Sequence, residues 1–143
     1  MVVLNGTKPS EAVLPYIREL TKHMPAEVFL LRVVSPVLKV RMDRGLENVK
    51  LTEQQIESTR VSARSYLESL GNNLADTMAT LHYEVRVGDL VTEAADIINK
   101  KGIRLIALTT RRYLAIRQLI AGSTTRRILH AASVPVLLVK APD

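Results

Sequence analysis

Short apolar runs bounded by turn residues alternate along this chain with stretches whose apolar residues recur every three or four positions. Val2 to Leu4 ends at Asn5-Gly6 and reads as a strand entering a turn. Ser10, after Pro9, is placed to cap a helix in which Ala12, Val13, Tyr16, Ile17 and Leu20 recur at helical spacing through about His23. Val28 to Val34 is short, apolar and rich in β-branched residues at its end, as expected of a buried strand. Ser35 to Leu51 carries Pro36 and Gly45 among mixed charges without a sustained period, and is expected to be a long mobile loop covering a site or awaiting a partner. Thr52 then caps a long helix with Ile56, Ala63, Leu67, Leu70, Leu74, Met78 and Leu81 on one stripe, interrupted at Gly71-Asn72-Asn73.

Tyr83 to Val87 predicts a third strand, and Asp89 to Lys101 a helix stopped by Gly102. Ile103 to Leu108 predicts a fourth strand. Thr109 to Ala121 is a basic connection with an amphipathic piece. Gly122-Ser123 opens a last helix through His130, and Val134 to Val139 is a fifth strand. The order β-α-β-α-β-α-β-α-β calls for an α/β fold, a parallel sheet with helices on both faces. Ligands of such sheets bind beyond the carboxyl ends of the strands, where strand order reverses. Those ends are Leu4-Asn5, Val33-Val34, Val87-Gly88 and Leu108-Thr109.

Composition narrows the chemistry. The 143 residues suit one domain over 1–143, and with aromatics at only 3% the core must come from Leu, Ile, Val and Ala. There is no cysteine, which excludes disulfides, thiolate metal sites and cysteine nucleophiles. Without a basic leader or a membrane-spanning run, the chain is expected to be cytoplasmic, with no membrane insertion. The net charge of +6 is uneven: Ile97 to Pro142 holds nine Lys or Arg and no Asp or Glu, which points to an anionic partner. Tyr113 is the one aromatic in that third, and no nucleic-acid motif is present, so nucleic acid is not the expected partner. His23, His82 and His130 lack metal-ligand spacing, and no catalytic set or carboxylate pair is visible. His130 reads instead as a partner of a helix C-terminus.

The stretch Leu105 to Arg112, then Gly122-Ser123-Thr124, then Val134-Pro135-Val136-Leu137-Leu138-Val139, resembles the universal stress protein family. That family carries a strand, a G-x2-G-x9-G-[ST] loop, a helix and a closing V-P-V-L-V-V strand. Leu30-Leu31-Arg32-Val33 and Val87-Gly88-Asp89 resemble its second strand and the approach to its third helix. The resemblance implies a three-layer α/β/α domain, adenine nucleotide alpha hydrolase-like, with a five-stranded parallel sheet in the order 3-2-1-4-5. It also implies a homodimer paired antiparallel through Val134 to Val139.

Implied ligand contacts are Asn5, where the family has an acid near the ribose; Val33, whose backbone meets the adenine; and the phosphate loop Thr109, Arg112, Gly122, Ser123 and Thr124. Two departures stand out. Thr109 and Arg112 occupy the positions of the first two glycines of the loop, and a Cβ at each intrudes where backbone N–H groups approach a triphosphate. Gly122-Ser123-Thr124 keeps a helix N-terminus suited to a small anion, unless Ser123 is a simple N-cap. The expectation is therefore a non-enzymatic stress-response protein acting through protein contacts, with no resident cofactor. The alternatives are an ATP- or AMP-binding sensor using Arg112 in place of glycine, and a regulatory domain docked on a membrane transporter.

Overall fold

Five of the apolar runs pair in parallel. In the computed structural model, which describes residues 1–43, 45–110 and 124–141, β1 (Val2–Val3) lies between β2 (Ala26–Val34) and β6 (Ile106–Thr110). β5 (Ala79–Val87) pairs with β2, and β7 (Val136–Lys140) pairs with β6. The order β5-β2-β1-β6-β7 is the expected 3-2-1-4-5 when only the strands of this sheet are counted along the chain.

Alternation along the strands builds two cores. Val2, Leu4, Val28 and Leu30 pack with Leu14 and Ile17 of α1 (Leu14–Lys22) and with Leu67 and Leu70 of α2 (Glu53–Gly71). Val3, Phe29, Leu31, Ile106 and Leu108 pack on the other side, with Ala94, Ile97 and Ile98 of α3 (Leu90–Lys101) and Ile128 of α4 (Thr124–Ala131). Leu30 and Leu31 are consecutive, both fully buried, and on opposite faces. Each such side chain contributes about 1.5–3 kcal/mol on leaving water. The result is a three-layer α/β/α arrangement.

Local chemistry sets the helix ends. Thr52 accepts from the Gln55 backbone N–H while the Gln55 side chain accepts from the Thr52 N–H, a reciprocal cap at the start of α2. Asp89 caps α3, and Gly102 ends it in the left-handed conformation at φ 62°.

Several expectations need correcting. Ser35 to Leu51 is not a loop throughout: β3 (Val37–Met42) and β4 (Gly45–Lys50) form an antiparallel hairpin, closed at its base where Leu51 N–H donates to the Pro36 carbonyl. Leu38, Val40 and Met42 do alternate with Lys39 and Arg41, but the facing strand is too polar to show a period. Ser10 does not cap a helix; it lies inside a 3-10 segment, Lys8–Val13, and its hydroxyl donates to the Thr7 carbonyl. The buried stripe of α1 runs Leu14, Ile17 and Thr21, leaving Tyr16 and Leu20 exposed. The long helix stops at Gly71, a 3-10 turn covers Asn72–Leu74, and Leu81 belongs to β5, because sheet pairing with β2 over nine residue positions outweighs a helical stripe. The strands predicted at Tyr83 to Val87, Ile103 to Leu108 and Val134 to Val139 span Ala79–Val87, Ile106–Thr110 and Val136–Lys140.

The last residue of α2 is Gly71 for a packing reason. A Cβ there would fall on the Tyr83 hydroxyl and 2.9 Å from the ring carbon bearing it. Tyr83 is held in turn by Arg64, whose guanidinium lies 5.4 Å from the ring centre. Helix propensity alone favours alanine by about 1 kcal/mol. Overpacking opposes it, so Gly71→Ala is expected to destabilise by about 1–3 kcal/mol, and adding Tyr83→Phe to recover part of the loss. Chemical denaturation of the single and double variants measures both, and a stabilised Gly71→Ala would contradict this packing.

Candidate functional site

The chain leaves β1 through α1 to β2 on one side, and β6 joins β1 from the other. Their connections part at this switch point, and the carboxyl ends of β1, β2 and β6 border a cleft of about 720 Å³. Val3, Val33, Leu108 and Ile128 give it an apolar wall. Pro36, Val37 and Lys39 bring in the base of the β3–β4 hairpin, so the segment expected to cover a site does border one.

Asn5, Val33 and Thr109 all line this cleft. Asn5 follows β1, and its side-chain oxygen accepts from the Thr7 backbone N–H at 3.0 Å and the Thr7 hydroxyl at 2.7 Å. This local turn leaves only its amide nitrogen for a ligand. The Thr109 hydroxyl donates to the Ser10 carbonyl at 3.1 Å, tying the end of β6 to the 3-10 segment. Ser10 is itself buried, and its hydroxyl accepts from the Asn5 N–H at 3.4 Å. Asn5, Ser10 and Thr109 are thus held in one chain of hydrogen bonds.

Thr124 opens α4, and Thr125, Arg127 and Ile128 of that helix line the cleft, so the positive end of the α4 dipole borders it. Arg112, Gly122 and Ser123 lie outside the described residues, as does the connection from 111 to 121. His130 accepts from the Arg126 side chain at 3.4 Å in the last turn of α4. His82 stacks on Phe29 with ring centres 4.3 Å apart. Among the described residues no group of His, Asp and Glu side chains could hold a metal ion.

Sequence reasoning missed two charged members of the cleft as a pair. Asp89 Oδ2 accepts from the Thr92 N–H at 3.2 Å, while its Oδ1 accepts from the Arg127 guanidinium at 2.8 Å. In the sequence Asp89 marks only the approach to and start of a helix, and Arg127 is only one member of the basic run. No local signal joins residues that only packing of α3 against α4 brings together. The Arg127 hydrogen bond, then the backbone hydrogen bond from Thr92, holds the Asp89 carboxyl below its ordinary pKa.

A depressed native pKa gives stability that is present above the unfolded value, about 3.9, and lost as pH falls through the native one. Asn caps helices as well as Asp, so Asp89→Asn isolates the charge. The variant is expected to lose less stability than native protein as pH falls below about 4. Thermal melts across that window check it, and parallel pH profiles would contradict the ion pair.

The site can now be set beside known proteins. Residues 1–140 match the universal stress protein family. A hypothetical protein, MJ0577, described as a structure-based assignment of biochemical function, aligns with a TM-score of 0.71 at 18% identity, covering 99% of this chain and 94% of that one. A universal stress protein in complex with cAMP gives a TM-score of 0.70 at 12% identity, with 99% and 94% covered. A protein of the universal stress protein family from Burkholderia pseudomallei gives 0.65 at 16% identity, with 96% and 92% covered. At these identities the likeness concerns the fold. No curated protein matches the sequence significantly. Since the family match runs from β1 through β7 and includes every strand that borders the cleft, this chain belongs to the universal stress protein family.

Proposed function

We propose that this chain is a one-domain, cytoplasmic, non-enzymatic stress-response regulator that acts through protein contacts and binds Mg-ATP weakly or not at all. Thr109 carries this reading. Where the family loop has its first glycine, this chain has a branched side chain whose hydroxyl is already given to Ser10. It therefore stiffens the backbone that must approach a triphosphate, and offers it no donor. Arg112 adds a Cβ and a long stem at the second glycine position. Asn5 lacks the family's charge, and its side-chain oxygen is engaged by Thr7. Asp89, the one carboxylate lining the cleft among the described residues, is occupied by Thr92 and Arg127. No helix among the described residues is long and apolar enough to cross a membrane.

A second reading is a sensor of a nucleotide with a single phosphate, such as AMP or cAMP. Its support is the cleft itself: about 720 Å³, within the range of small-molecule sites, with Lys39 and Arg127 on its rim. One relative of the same fold is described in complex with cAMP. A single phosphate needs fewer backbone donors than a triphosphate, and the start of α4 suits it.

Titration calorimetry of native protein and of Thr109→Gly/Arg112→Gly with Mg-ATP, AMP and cAMP separates the readings. Native protein is expected to show no Mg-ATP binding, and the double variant to gain it. Losing the Thr109 hydrogen bond costs about 1 kcal/mol, small enough for the variant to remain folded. A native dissociation constant for Mg-ATP near 1 μM, about −8.2 kcal/mol, refutes the first reading. Tight AMP or cAMP binding without ATP selects the second.

Assembly belongs to the same proposal. Among the described residues β7 pairs only with β6 and no strand adjoins its other edge, and Leu138 on it is 36% exposed. An unpaired edge of this kind suits an antiparallel homodimer across a two-fold axis. Sedimentation at micromolar concentration is expected to give a dimer and Leu138→Glu a monomer; a monomeric native protein would sink the assignment.

A further inference from the structure

Two arginines lie over tyrosine rings on the α2 side of the sheet. Arg64, over Tyr83, also pairs with Glu68 at 2.6 Å and donates to the Tyr83 carbonyl at 2.9 Å. Arg32, 5.5 Å from the centre of the Tyr66 ring, is partly buried and has no hydrogen bond or ion pair among the described residues. Its guanidinium is seated against the chain at Gly6, where a Cβ would fall 2.7 Å from the guanidinium carbon. The left-handed φ of 82° at Gly6 and the missing Cβ together make that seat.

Among the described residues this cation has no ion-pair partner. Arg32 lines a second cleft, about 610 Å³, between the carboxyl end of β2, the base of the hairpin and the first turns of α2. Among the described residues no Asp or Glu lines it. The acid that touches Tyr66 is Glu11, which accepts from the Tyr66 hydroxyl and is already paired with Lys8 at 2.7 Å. Gln54 and Ser58 also line the cleft, and neither side chain has a hydrogen-bond partner among the described residues. The positive end of the α2 dipole lies on the same side, since Gln54 and Gln55 belong to its first turn. A partly dehydrated guanidinium without an ion-pair partner among the described residues, in a cleft that neutral donors also line, suits an oxyanion.

We propose that this second cleft binds the phosphoryl group of a small phosphomonoester or free phosphate, with Arg32 as its bidentate partner and Gln54 and Ser58 as additional donors. The site is separate from the switch-point cleft. Arg32 and Val33 are consecutive on β2, so their side chains leave opposite faces of the sheet, and no residue but Ser35 lines both clefts.

The test is a nitrogen-15 NMR titration of the full chain with inorganic phosphate and, in parallel, glycerol 3-phosphate at constant ionic strength. Saturable shifts are expected at the Arg32 Nε–H and the amides of Gln54 and Ser58, with Gly88 and Thr109 unmoved. Arg32→Gln is expected to weaken binding about tenfold, and Arg32→Lys, which keeps the charge without the fork, by less. Tighter binding of the ester identifies an ester ligand, and equal or tighter binding of phosphate identifies the free ion. Absence of saturation by about 10 mM, or native affinity in Arg32→Gln, overturns the proposal. Should Arg32→Gln fail to fold, Gln54→Ala/Ser58→Ala, on an exposed helix face, is expected to weaken binding about threefold, and unchanged affinity there overturns it equally. Shifts confined to Gly88 and Thr109 would place the anion in the switch-point cleft, overturning this proposal while supporting a ligand there.

Discussion

The structure depends on the parallel pairing of β1 with two neighbours at once. Val2 stands opposite Leu30 of β2 on one side and Ala107 of β6 on the other. Leu4 N–H donates to the Leu31 carbonyl at 2.9 Å, and Ala107 N–H donates to the Met1 carbonyl at 2.8 Å. A strand of only two residues therefore joins both halves of the sheet. Because the chain departs from it in one direction and returns beside it from the other, the neighbouring connections part above its carboxyl end. The cleft is the space they leave, which is why Asn5, Val33 and Thr109 meet there although up to 104 positions separate them in sequence.

Burial on both faces has a further consequence where the apolar pattern of β2 ends. Through Leu31 every side chain of the strand's middle enters one core or the other. Beyond it the alternation continues with Arg32 toward α2 and Val33 toward α3 and α4. The sheet geometry thus delivers a cation without an ion-pair partner among the described residues to one face and an apolar surface to the other within a single dipeptide. Two clefts of different chemistry arise from one strand end.

Polar groups at the switch point are largely committed to one another. Ser10 accepts from Asn5, donates to Thr7 and offers its carbonyl to Thr109. Each bond contributes about 1 kcal/mol net, but leaving a buried donor or acceptor unpaired costs more. That asymmetry favours keeping the network closed over lending its members to a ligand. Charge follows the same logic, with Arg127 turned toward Asp89 at 2.8 Å. A ligand in this cleft must replace these contacts, whereas Arg32 has no hydrogen bond or ion pair among the described residues to replace, only its contact with the Tyr66 ring.

Much of this was legible in the chain itself. Short apolar runs at Val2, Val28 and Ile106, separated by capped amphipathic segments, specify parallel strands under helices, since only that arrangement buries both faces of such runs. Thr52 and Gly102 were readable as helix ends because capping needs only residues a few positions away. The switch-point ends of the strands followed from topology, and so Asn5, Val33 and Thr109 could be named in advance. What tertiary structure decided was pairing over distance. The hairpin of Val37–Met42 with Gly45–Lys50 depends on cross-strand hydrogen bonds that leave no period in the polar strand. The requirement for glycine at position 71 depends on Tyr83 lying over it, and the assignment of Leu81 to β5 on β2 being ready to pair. The Thr109–Ser10 bond, the Asp89–Arg127 pair and the isolation of Arg32 each join or separate residues far apart in sequence. Periodicity records which face a residue takes along its own element, while partners on other elements are set by how the layers pack.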